Sequence, residues 1–183
     1  MKKEVVDRFV LKLDELNDIS TKIALADNAK KAVEMFEDTL ISAYVEGFIG
    51  AKYIFGDTSL SLKEYQMRDA LSKDYDGVTI QERLIDHYKR GRLGEIKNLV
   101  ESEFHRVYTT AQLNGAEELG AKSKTWVTVG DDKVRETHAY LEGQTIPIDE
   151  LFYTIDGDSA LSPGDFYLAG NNANCRCILD FTE

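Results

Sequence analysis

The chain has 183 residues, 43% of them hydrophobic and 10% aromatic, enough for one packed domain or a domain with a helical extension. Its formal charge of −11 argues against a general binder of nucleic acid or membrane surfaces, since gripping phosphates demands a basic face. No apolar run is long enough to span a bilayer. The opening Met1-Lys2-Lys3-Glu4 leads into an amphipathic segment rather than a secretory signal, and two cysteines without a disulfide pattern fit a reducing cytoplasm.

In chain order, Val6, Phe9, Val10, Leu13 and Leu16 recur at helical intervals, which predicts a first helix over Lys3 to Leu16 followed by a break at Asn17-Asp18-Ile19-Ser20. A longer helix is expected from about Asn28 to Phe55, with Val33, Phe36, Leu40, Tyr44 and Phe48 as a core-facing stripe; Gly47, Gly50 and Ala51 would let another helix approach closely. Gly56 to Ser59 reads as a turn, Leu60 to Leu71 as a short helix and Lys73 to Gly77 as an exposed polar loop. Thr79-Ile80-Gln81-Glu82 is a capping-box pattern opening the next helix, which carries Leu84, Ile85 and Tyr88 and ends in the basic residues Lys89, Arg90 and Arg92. Such a basic cluster complements a helix C-terminus more readily than it binds phosphates in so acidic a chain. Leu93 to Leu119 reads as the strongest helix, stopped by Gly120. His87 and His105 have no partner motif and read as structural.

From about residue 121 the pattern changes to short strands, and this part is the more acidic per residue, at −6 against −5 for the first 120. After an extended Thr125 to Val129, Gly130-Asp131-Asp132 reads as a turn and helix start. A helix over Lys133 to Leu141 would set Asp131, Arg135 and His138 on one face. Gly143 fits a left-handed C-cap, and Pro147 confines Thr145 to Ile148 to a sheet edge.

Cys175 and Cys177 are the only cysteines, and in an extended segment residues two apart face the same way. The small ring between them disfavours a disulfide. They could bind zinc together with His138 and a carboxylate, Asp131 or Asp132, although the spacing is not that of an ordinary zinc knuckle. The alternative is a pair of half-buried thiols packed as small apolar groups, with His138 bonded to a backbone carbonyl. Arg176 must face away from the thiols, free to pair with a carboxylate or to hold the turn Asn171 to Asn174, or to serve as an edge-strand charge.

Taken together, Trp126, Asp131-Asp132, Val134-Arg135, His138, Leu141, Gly143-Gln144, Phe152, Pro163-Gly164 and Asn174-Cys175-Arg176-Cys177 resemble the C-terminal signature of the phage Mu F-like head morphogenesis family, the minor capsid proteins of tailed phages. The helix bearing Glu103, Arg106, Val107, Thr110, Ala111 and Asn114 is similar to the one preceding that signature. The resemblance spans about Thr79 to Phe181. It implies a structural protein made in the host cytoplasm and carried in the virion head. Its partners would be the portal protein, the major capsid protein or a scaffold protein, and its task to assist head assembly, DNA packaging or ejection. The same resemblance covers modules fused to toxins, which they would deliver.

The expected architecture is α+β: an N-terminal helical region with long helices over 1–120, then a small C-terminal antiparallel β module with a short inserted helix over 121–183. Trp126, Asp132, Arg135, His138 and Arg176 are expected to form its structural cluster, with His138, Cys175, Cys177 and Asp131 as the candidate zinc ligands. The rival reading is a metal-assisted hydrolase or nuclease using His138, Cys175, Cys177 and Asp131 or Asp132, or a Cys175 nucleophile activated by His138. No catalytic motif surrounds the cysteines, so the expectation is a protein that is not an enzyme.

Overall fold

A computed structural model describes residues 16–55, 64–75 and 77–182. The expected helix over Lys3 to Leu16, apart from its last residue, lies outside these, as do the turn at Gly56 to Ser59 and the start of the helix after it. The first described helix, α1, occupies residues 16–24 and runs through the expected break. Its polar side chains bond within the helix instead of ending it: Ser20 Oγ and Thr21 Oγ1 donate to Asn17 O at 3.1 and 2.7 Å, and Lys22 pairs with Asp18. Leu16 and Ile23 are buried on its inner face. The chain turns instead just before Ala29, where Asn28 Oδ1 accepts from Lys31 N at 3.0 Å and caps the next helix.

That helix, α2 (Ala29–Phe55), buries Phe36, Leu40, Tyr44 and Phe48 of the expected stripe as core, with Val33 partly buried against it. It packs against α5 (Leu93–Glu118). The two approach so closely that a Cβ on Gly47 would lie 2.2 Å from Tyr108 O, and one on Gly115 would lie 2.7 Å from the Ala51 Cβ. Glycine is therefore required at the crossing by space, and its helix cost is outweighed.

Between them, α3 (Glu64–Leu71) leads to a two-stranded hairpin, β1 (Asp74–Tyr75) against β2 (Val78–Thr79), where an exposed loop was expected. The reason lies in Tyr75, which reaches inward and donates to Glu103 Oε1 at 2.9 Å. Glu103 in turn pairs with Arg106 at 2.8 Å, both fully inside, and Arg106 Nη2 also donates to Ala70 O. Burial, and then the Glu103 carboxylate, push the Tyr75 phenol well above its ordinary range. Helix α4 (Ile80–Lys89) opens with the expected capping box, Thr79 Oγ1 accepting from Glu82 N while the Glu82 carboxylate accepts from Thr79 N.

Beyond Gly120, whose φ of +87 ends α5, the chain forms a three-stranded antiparallel sheet in the order β4-β3-β7: β3 (Ser123–Val127), β4 (Thr145–Pro147) and β7 (Ile178–Thr182). Pro147 stands on the edge strand, as expected. A small pair, β5 (Phe152–Tyr153) with β6 (Ser159–Ala160), and two single-turn helices, α6 (Glu136–Ala139) and α7 (Ala169–Asn172), complete the module. Long helices thus precede small antiparallel sheets, an α+β architecture. Two apolar cores result, and α5 belongs to both. Its residues up to Ala111 pack with α2 and α4, whereas Leu113 and Ala116 join Trp126, Leu141, Phe152, Phe166, Leu179 and Phe181.

The inserted helix is shorter than the expected span from Lys133 to Leu141. Arg135 is extended, with φ −69 and ψ 153, and caps α6. Asp131 instead closes a local turn by accepting from Lys133 N at 3.1 Å. Asp131, Arg135 and His138 therefore share no helical face.

Candidate functional site

The module's centre is built around His138. Helix α6 projects the imidazole inward until it is 2% exposed, flanked by Trp126 of β3, edge-on at 5.5 Å between ring centroids, and by Phe166, stacked at 5.4 Å. Cys175 and Cys177 lie just before β7, and the extended backbone turns both thiols to the same side, where they are buried. Both converge on one atom: Cys175 Sγ is 3.6 Å and Cys177 Sγ 3.4 Å from His138 Nδ1. The three donor atoms all lie within 4.8 Å of one another.

Backbone contacts fix this convergence. Arg135 Nη1 donates to Asn171 O at 3.0 Å and Nη2 to Ala173 O, so Arg135 rather than Arg176 holds the turn before the cysteines. Asn174 adopts the left-handed φ of +53 that this turn requires. Arg176, facing outward, makes a bidentate pair with Asp131 at 2.7 and 2.8 Å. That hydrogen bond holds the Asp131 carboxyl below its ordinary range and raises the Arg176 guanidinium. Asp131 is thus committed to Arg176 and contributes nothing to the thiol cluster; Asp132 is exposed in the turn. Neither carboxylate belongs to the cluster of His138, Cys175 and Cys177.

The thiols are unlike each other. Burial pushes the Cys175 thiol up, but the hydrogen bond with Cys177 and the imidazoles of His105 and His138 outweigh it and hold Cys175 well below the ordinary thiol range. Cys177 moves the opposite way, raised by that hydrogen bond to Cys175 and by burial. Trp126 opposes the rise of Cys177 through a side-chain hydrogen bond, and the buried His138 Nε2 beside them has no hydrogen-bond partner among the described residues.

Of the supporting residues, His105, Asp158 and Asn172 carry no signal in the sequence, whereas Pro163 and Gly164 belong to the resemblance. His105 reaches from α5 to Cys177 O at 2.7 Å, a structural role in keeping with its reading, but no spacing ties it to the cysteines. Asp158 accepts from Ser159 N, Tyr167 N, Leu168 N and Asn171 Nδ2, gathering the loop that carries Phe166. Asn172 clamps the same loop through Phe166 N at 2.8 Å and Phe166 O at 2.6 Å. Pro163 O accepts from Thr109 Oγ1 at 2.7 Å, and Gly164 packs against α5 where a Cβ would meet His105 Nδ1 at 3.0 Å.

A family model described as phage Mu protein F like protein matches residues 64–180, from the start of α3 into β7, and so takes in His138, Cys175 and Cys177. The chain is 32% identical over 90 residues to the minor head protein GP7 of Bacillus phage SPP1, an alignment covering 48% of this chain and 29% of that protein. It is 30% identical over 133 residues to an NAD(+)–arginine ADP-ribosyltransferase, EFV, of Enterococcus faecalis, covering 64% of this chain and 27% of that protein. The chain therefore spans less than a third of the length of each of these relatives. No solved structure matches it.

Proposed function

The chain belongs to the phage Mu protein F like family, and from that premise we propose that it is a minor head protein of a tailed phage or prophage, acting in head morphogenesis. The observation that carries the reading is the family match, which runs through the whole thiol and imidazole cluster and the helix that supports it. The likeness to a minor head protein agrees with it. In this reading the protein docks on other head components, at the portal or the capsid interior, and assists assembly, packaging or ejection.

Exposed aromatic side chains support docking. Tyr140, Tyr153 and Tyr167 stand exposed on the C-terminal module, the last at 81%, and aromatic side chains of this kind serve as anchors in protein interfaces. The buried cluster contains no carboxylate. Among the described residues no helix is long and apolar enough to cross a membrane.

The likeness to an ADP-ribosyltransferase favours a second reading, in which the shared segment belongs to an enzyme. Because the chain matches only 27% of that protein, we assign the shared segment to a head-docking module and not to the transferase chemistry. Incubation with labelled NAD and an arginine acceptor is expected to transfer no label; transfer above background would support the second reading.

The decisive experiment is quantitative mass spectrometry of gradient-purified particles from an induced host carrying the source genome. A low, fixed copy number relative to the major capsid protein is expected in heads. Absence from every particle class would overturn the proposal as it concerns the virion.

A further inference from the structure

We propose that His138, Cys175 and Cys177 form a zinc site, with Nδ1 and two thiolate sulfurs as its protein ligands. Three observations lead to it, none of them depending on the role in the phage head.

The first is the convergence of both sulfurs on one nitrogen. Imidazole nitrogen and thiolate sulfur are the donor types that zinc takes, and three such atoms meet here at one buried point. A metal ion placed among the three satisfies all of them at once. The second is spacing. Zinc bonds of about 2.3 Å to sulfur and about 2.0–2.1 Å to nitrogen place ligand atoms about 3.6 Å apart at a tetrahedral angle. The observed separations from Nδ1 are 3.6 and 3.4 Å. Both sulfur–nitrogen edges therefore already have about tetrahedral length.

The third is the surroundings. Among the described residues His138 Nε2 has no hydrogen-bond partner, and the ring lies beside Trp126 and Phe166. Nδ1 is the ring nitrogen that faces both sulfurs. Two thiolates and a divalent ion sum to no net charge, the combination that a pocket lined by Trp126 and Phe166 can enclose. Thiolate with imidazole selects zinc over magnesium or calcium. The ion would tie α6 to the segment entering β7, two pieces of chain otherwise joined by Arg135 and Thr137 to the preceding turn.

The test uses the full chain, expressed without a histidine tag in zinc-supplemented medium. Elemental mass spectrometry is expected to find about one zinc per chain. His138→Ala, Cys175→Ser and Cys177→Ser should each retain less than half of it, while Asp131→Asn keeps it all. Because the ligand variants also remove buried groups and can fail to fold, metal-stripped wild type is titrated with Co(II). Thiolate-to-cobalt charge transfer in the near ultraviolet and intense tetrahedral bands in the visible are expected. Binding must also release thiol protons, so the apparent affinity falls as pH is lowered. Folded wild type that emerges from zinc-supplemented medium essentially metal-free and gives no charge transfer with cobalt would overturn the proposal. Full zinc content in Cys177→Ser, or its loss in Asp131→Asn, would overturn the ligand assignment.

Discussion

Individual side chains in the C-terminal module carry unusually concentrated duties, and two of them lend themselves to measurement. Asp158 is a buried carboxylate with four donors around it. Asp158→Ala strands those donors and is predicted to cost about 3 kcal/mol, read as a shift in the urea midpoint at unchanged slope. Lys124 is buried in the sheet, with Nζ 2.9 Å from Leu161 O and 5.5 Å from the Phe152 ring centroid. Desolvation lowers its pKa from 10.5 to about 8, against the opposing pull of Asp149, Glu117 and Glu150. Below pH 8 both folded and unfolded chains hold that proton and the penalty is constant. Between 8 and 10 only the unfolded chain still binds it, so stability rises with pH. Above 10 the buried phenols of Tyr44 and Tyr75, whose pKa values are raised, keep protons the unfolded chain loses, and the trend reverses. Melting curves should show wild type gaining on Lys124→Met between pH 8 and 10; parallel curves would refute the assignment. At this scale the sequence revealed chemistry but not pairing. His138, Cys175 and Cys177 stood out by residue type, whereas Asp131 seemed as good a ligand as any, because the Arg176 that captures it lies 45 positions away. Asp158 and Asn172 look like ordinary loop residues until the backbone groups they satisfy come into view.

Among elements, the crossing of α2 and α5 is the tightest contact and the most sensitive to volume. Gly47→Val drives a side chain into Tyr108 O and is predicted to cost at least about 3 kcal/mol, with loss of cooperativity if the helices part. Gly94→Ala, also in α5 but with nothing within 4 Å of its Cβ position, should instead stabilise by about 0.5 kcal/mol. Thermal melts of the two variants compare the opposing outcomes directly. Long elements were readable because apolar periodicity over 26 or 27 residues outweighs any single exception, and small residues in α2 already announced a close neighbour. Short ones were not. The Asn17 to Ser20 stretch is polar yet helical because its hydroxyls bond back to the carbonyl of Asn17. The β1–β2 hairpin depends on Tyr75 meeting Glu103 across 28 positions. The helix from Lys133 shrank to α6 because the chain stays extended at Arg135, where φ is −69 and ψ 153.

Across the whole molecule, α5 contributes to both cores, so the expected boundary at residue 120 cuts through shared packing: Leu113 and Ala116 belong with the sheet module. Scanning calorimetry is predicted to show one cooperative transition for the two cores; two resolved transitions would restore the boundary as a physical one. The sheet order has a further consequence, for synthesis. β3 is the central strand, yet both its neighbours are encoded after it, and its longer pairing is with residues 178–182. At a ribosomal rate of about 5–20 residues per second, β3 waits about 3–10 s for β7. For that interval a strand carrying Trp126 and Val127 has no complete sheet to join, the circumstance in which nascent chains pair wrongly. A charge within such a strand discourages that pairing. Lys124 is a burden on the finished fold, and the test of whether its charge guards the waiting strand is that a Lys124→Met chain that melts higher should also leave more insoluble product when expressed.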